Sequence, residues 1–242
     1  MSEFLSVPET RDPTLLRPPV PVERTVKLPR SLTHFIGRER DIDAVSGLCL
    51  RDDIQLLTIT GPGGVGKTRL AIEVAARITE TFDDGVVFAS LAALRDPGLV
   101  LIIVARVLGV TSVAGQSLDE RLRVFLQHKR LLVVLDNMEH LLPAGPVFSS
   151  MLAQHSGLAI LCTSRTRLGL SGEHQFLLSS LTSGDARELF VQQARAKDAR
   201  FTPTDETAPI IDAICGRLDG LPLAIELAAA RTTTFIIPVV HP

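Results

Sequence analysis

The stretch GPGGVGKT, Gly61 to Thr68, concentrates residue types that handle phosphate. Gly61, Gly63, Gly64 and Gly66 let the chain turn tightly and bring backbone amides against an anion with no Cβ in the way. Lys67 supplies an ammonium that reaches β- and γ-phosphates, and Thr68 a hydroxyl suited to Mg²⁺. Val65 and Arg69, within and directly after this run, join the candidate cofactor-binding residues. The spacing satisfies G-x-x-x-x-G-K-[ST] in full. Apolar IQLLTIT precedes it and amphipathic KTRLAIEVAARITETF follows, so the positive end of a helix is expected to face the phosphates.

A carboxylate completes the pair. LLVVLDNMEH, Leu131 to His140, reads as a buried strand ending in Asp136, which can hold magnesium through a water. A second acid often follows such an aspartate and activates water; here Asn137 stands in its place. An amide positions a water but cannot take its proton. Glu139 lies two residues further on and reaches inward only if the backbone bends. These residues predict tight nucleotide binding with slow hydrolysis. Lys67, Asp136 and Asn137 are the candidate catalytic residues, and Thr68 and Asp136 the metal ligands.

The elements that must position these groups follow from pattern. IQLLTIT, GVVFASL, RLLVVLD and LAILCTS are short runs rich in Val, Ile and Leu, as expected of strands buried on both faces. KTRLAIEVAARITETF, PGLVLIIVARVLG, SLDERLRVFLQH and HLLPAGPVFSSMLAQH alternate with them as helices, the last with an irregular start at Pro143 and Pro146. The alternation predicts an α/β fold: a mostly parallel sheet flanked by helices, followed by a small helical domain. The expected division is a proline-rich arm over 1–30, a P-loop domain over 31–180, a helical domain over 181–231 and an irregular tail over 232–242. In the tail, TTTFIIPVVHP has β-branched residues and a proline where a helix would run on.

Bulk properties narrow the classes. Charged residues make up 21% of 242, with a formal net charge of -2, so there is no basic footprint for nucleic acid. Trp and Tyr are absent, which removes the usual stacking platforms for single strands. LVLIIVARVLGV is too short to span a bilayer, and MSEFLSVPETRDP has neither the basic start nor the apolar run of a signal peptide. Cys49, Cys162 and Cys215 fit no metal or redox spacing. A cytoplasmic monomer with reduced, buried thiols is expected.

Three further stretches go beyond a generic phosphate loop: HFIGRERD (34–41), LCTSR (161–165) and GLPLAIELAAAR (220–231). In this order and spacing the chain resembles the signal-transduction ATPases with numerous domains (STAND), in their NB-ARC or AP-ATPase branch, and particularly its bacterial regulator-type members. The resemblance covers roughly residues 31–231. It implies that Phe35, Ile36, Gly37 and Arg38 lie against the adenine end of a bound nucleotide, with Glu39 in the same motif. Asp41 stands where the family often has Glu. It further implies that Arg165 reads the γ-phosphate, which adds it to the candidate catalytic residues, and that Pro222, in the Gly-x-Pro motif of Gly220, Leu221 and Pro222, packs near the base. The implied ligands are ATP or ADP with Mg²⁺, and the implied activity is a switch with slow turnover. Family members continue past this helix into a winged-helix domain and an output module, so an unknown protein partner or a missing output domain is implied. A folded but inert fragment and a small-molecule P-loop kinase are the alternatives. A kinase should also carry a lid with several arginines, and no clear lid is present.

Overall fold

The computed structural model describes residues 25–29, 35–111 and 115–235. The arm before residue 25, His34 and the tail after residue 235 lie outside the described residues. In chain order the elements are β1 (Thr25–Lys27), α1 (Glu39–Cys49), β2 (Leu56–Thr60), α2 (Lys67–Arg77), β3 (Gly85–Ser90), α3 (Val100–Leu108), α4 (Leu118–Leu126), β4 (Leu131–Asp136), α5 (Gly145–Gln154), β5 (Leu158–Ser164), β6 (Glu173–Leu177), α6 (Ser183–Lys197), α7 (Ala208–Arg217) and α8 (Pro222–Phe235).

The strands form one parallel sheet in the order β1-β3-β4-β5-β2-β6. Every residue of β2 and β4 is buried, as the unbroken aliphatic runs demand. Successive residues point to opposite faces, so neighbours in one strand enter different cores. Leu56, Val133, Leu135 and Ile160 pack with Val104 of α3, Leu122 of α4 and Phe148 of α5. Leu57, Ile59, Val134 and Leu161 pack with Val45 of α1 and Leu70 and Val74 of α2. Beyond the sheet, Leu189 and Phe190 of α6, Ile211 and Cys215 of α7 and Ile225 and Ala229 of α8 build a third cluster, which takes in Ile36.

The order matters for chemistry. β5 is inserted between β2 and β4, so the C-terminal ends of these three strands lie side by side. The phosphate loop leaves β2, Asp136 ends β4, and Arg165 follows β5.

The structure differs from the sequence expectations in three places. Thr25–Lys27, placed in the proline-rich arm, pairs with β3 as an edge strand. Glu173–Leu177 adds a strand on the other edge, beside β2. Edge strands are paired on one side and half solvated, so neither carries the aliphatic run by which the central strands are recognised. Helix α8 runs on to Phe235, into the segment expected to be irregular; β-branched residues lower helix propensity by only tenths of a kcal/mol, roughly up to 0.7 each. The irregular start of the helix at Pro143 and Pro146 is present, as a short 3₁₀ turn over Leu142–Ala144. Cys49, Cys162 and Cys215 are buried and free. No helix among the described residues is long and apolar enough to cross a membrane.

Candidate phosphate-binding site

The loop after β2 delivers Lys67 as the first residue of α2, with Gly66 as N-cap at φ 102°, ψ 16°. A Cβ at Gly66 would meet nothing within 4 Å, so glycine is required there by the left-handed backbone and not by crowding. Lys67 Nζ arches back over the loop and donates to the carbonyls of Gly61 (2.8 Å) and Pro62 (2.9 Å). Burial draws its ammonium below the usual lysine range; the charges of Glu139 and Asp136 oppose that shift and Arg165 adds to it. Three charged groups are therefore gathered around this lysine.

Asp136 is 5% exposed and satisfied from two sides. Its Oδ1 accepts from Thr68 Oγ1 at 2.6 Å and from Thr163 Oγ1 at 2.6 Å. Thr163, fully buried in β5, also accepts from the Asn137 backbone amide at 3.0 Å, so one hydroxyl fixes both the carboxylate and the chain that follows it. These hard oxygens fit magnesium: an ion of this kind takes few protein ligands and keeps water and phosphate oxygens for the rest. Thr68 and Asp136 would hold it, and it would supply charge neutralisation to the phosphates.

Asn137 sits at φ 66°, ψ 56°, a left-handed conformation that asparagine tolerates. That single residue bends the chain into a 3₁₀ turn, Met138–His140. Met138 is buried beneath the turn, while His140 Nε2 bonds the Leu94 carbonyl at 2.6 Å. Between these two anchors Glu139 faces inward and meets Arg165 Nε at 3.3 Å.

Lys67, Asn137, Glu139 and Arg165 line a cleft of about 660 Å³, together with Gly63, Gly64, Gly66, Thr68 and Arg69. The rest of the lining is more apolar: Phe35, Ile36, Leu181, Leu189, Pro222 and Leu223, with the polar Gln193 and Glu226. Two contacts tie the helical cluster to the sheet side of the cleft. Leu223 N donates to the Gly64 carbonyl at 3.2 Å, which hangs the first turn of α8 on the phosphate loop. Gly37, at φ 67°, lies so close to α6 that a Cβ would come within 2.3 Å of the Asp185 side chain.

The cleft wall thus includes Phe35, Ile36, Arg38, Gly63, Gly64, Gly66, Lys67, Thr68, Arg69, Asn137, Arg165 and Pro222 among the sequence candidates. Gly37, Gly61, Val65 and Asp136 stand behind it: Val65 is fully buried, and Gly61 presents its carbonyl to Lys67. Arg38 is 4% exposed, and its guanidinium bonds Asp41 (2.9 Å) and the carbonyls of Val65 (3.2 Å) and Ser179 (2.8 Å). It clamps the phosphate loop to the segment entering α6. Arg69 stacks over the Phe35 ring, 5.0 Å from its centroid. Thr163, Leu181, Leu189, Gln193, Leu223 and Glu226 were not foreseen. Thr163 had a signal, a hydroxyl inside a buried strand just ahead of Arg165; the others are brought in only by the packing of α6 and α8.

Comparison with known proteins identifies the family. The family model described as NB-ARC domain matches residues 38–200. An uncharacterized protein of Mycobacterium tuberculosis is 41% identical over 207 residues, covering 85% of this chain and 52% of its own length. The regulatory protein AfsR of Streptomyces griseus is 32% identical over 238 residues, covering 91% of this chain and 24% of its own length. The chain therefore spans about half the length, or less, of these relatives. Among solved structures, a STAND protein with a tetratricopeptide repeat sensor from Pyrococcus horikoshii superposes with a TM-score of 0.51 at 17% identity, over 84% of this chain and 31% of that one. With two thirds of its length matched by one domain family and its P-loop fold shared with STAND proteins, the chain belongs to the NB-ARC family of nucleotide-binding modules.

Proposed function

We propose that this chain is the adenine-nucleotide switch module of a STAND-type signalling or transcriptional regulator, binding ATP or ADP with Mg²⁺ and hydrolysing ATP slowly. The observation that carries the reading is the meeting of Thr68 and Asp136 at 2.6 Å directly beside the first turn of α2. A hydroxyl and a carboxylate from separate elements, brought together at a helix N-terminus, form a metal and phosphate site and have little purpose as core packing. Lys67 binds the β- and γ-phosphates, the backbone amides of the loop surround them, and Arg165 at the cleft mouth meets the γ-phosphate. The apolar wall of Phe35, Ile36, Leu189 and Pro222 takes the base. The protein works as a monomer, without direct contact to nucleic acid, and its output lies in a partner or in a further domain of the kind its longer relatives have room for.

Titration calorimetry with ATP and Mg²⁺ tests this. Lys67→Ala removes a charge-assisted contact to two phosphates and is expected to weaken binding at least tenfold, on the order of 1.5–3 kcal/mol. Equal affinities for wild type and variant would make the glycine-rich loop a purely structural turn.

A further inference from the structure

The geometry points to Glu139 as the group that takes the proton from the attacking water, the role left open by an asparagine after Asp136. The inference rests on the reading that the cleft holds a nucleoside triphosphate. Three observations carry it. The left-handed backbone at Asn137 turns the chain so that Asn137 and Glu139 both line the cleft that Lys67 and Arg165 line. The turn is fixed on either side of Glu139, by the buried Met138 and by the bond of His140 to Leu94, so the carboxylate is held in place before any ligand arrives. Its two oxygens are used unequally: Oε1 pairs with Arg165 at 3.3 Å, while Oε2 is buried and has no hydrogen-bond donor among the described residues. Oε2 is closed to water, so Oε1, the oxygen that Arg165 covers, is the one a water in the cleft reaches once the arginine turns to a γ-phosphate.

The step balances without any other reactant. The water oxygen forms a bond to the γ-phosphorus, its proton passes to Glu139 Oε1, and the bond between the γ-phosphorus and the β–γ bridging oxygen breaks with its electron pair remaining on the diphosphate. Glu139 then returns the proton to the released phosphate or to solvent. Asn137 keeps the positioning role its amide allows. Arg165, 69% exposed in contrast to the 20% of Glu139, is the partner free to move: a γ-phosphate competes for its guanidinium and leaves the carboxylate to the water.

The test is single-turnover hydrolysis of Mg²⁺·ATP by wild type, Glu139→Gln and Glu139→Asp, with ATP affinity measured in parallel by calorimetry. Glu139→Gln keeps the shape and removes the base, and is expected to slow phosphate release about 100-fold. ATP affinity should stay within about threefold, the split expected when a group acts only in the reaction. After incubation and desalting, Glu139→Gln should retain intact ATP where wild type retains ADP. Glu139→Asp, shortened but basic, should fall between the two. Wild-type rates in Glu139→Gln with unchanged affinity would overturn the assignment, and so would a wild type that binds ATP yet releases no phosphate; both leave the nucleotide-binding reading standing. A wild type that binds no ATP overturns both.

Discussion

The two ends of the central sheet carry cavities of comparable size and quite different chemistry. At the C-terminal end, about 660 Å³ is lined by the phosphate loop, Asn137, Glu139 and Arg165, and the polar groups behind it are buried and bonded to one another. At the N-terminal end, about 520 Å³ is lined by Arg51, Lys129, Arg130 and His155 among others. There Arg51 is already paired with Asp53 at 2.6 Å, and Lys129 with Asp84 at 2.8 Å. The difference teaches that volume and positive charge do not make an anion site. What separates the two ends is direction. In a parallel sheet of right-handed crossovers, one end presents strand C-termini and helix N-termini, and ligands bind in the crevice there.

The largest expected effect that would sharpen this contrast is the loss of at least tenfold in ATP affinity in Lys67→Ala. Next comes Thr163→Val, which removes one of the two donors to Asp136 and leaves the Asn137 amide without its acceptor. Denaturant unfolding is expected to show a loss of roughly 1–3 kcal/mol, the cost of leaving buried polar groups unpaired. An unchanged midpoint would mean that Asp136 is held by Thr68 alone. The smallest effect is expected at the other end. Lys129→Ala should leave ATP affinity unchanged in the same calorimetric titration and lower stability by no more than about 1 kcal/mol, as for other partly exposed ion pairs. If this variant weakened ATP binding as Lys67→Ala does, the contrast between the two ends would collapse.

How far the sequence reached follows the same contrast. The phosphate loop was legible because its chemistry tolerates so few residue types: glycine at φ 102°, an ammonium, a hydroxyl. β2, β4 and β5 were legible because burial on both faces forces unbroken aliphatic runs. The edges were not, since TVK and EHQFL carry no such constraint. Arg38 shows a different limit. Its motif pointed to the nucleotide, but its guanidinium reaches the carbonyl of Ser179, 141 residues away, and no local pattern encodes that distance. Glu139 depended on one dihedral angle. An extended Asn137 would have sent it elsewhere, and asparagine permits the bend without requiring it.

The central claim is that the C-terminal cleft holds an adenine nucleotide through Lys67. The most direct measurement incubates wild type and Lys67→Ala with excess Mg²⁺·ATP, removes free ligand by desalting, denatures the protein and identifies what is released by chromatography. The account predicts close to one adenine nucleotide per wild-type chain and less than about a tenth of that from Lys67→Ala, in line with the tenfold or greater loss in affinity. Equal amounts from both, or none from the wild type, would contradict it.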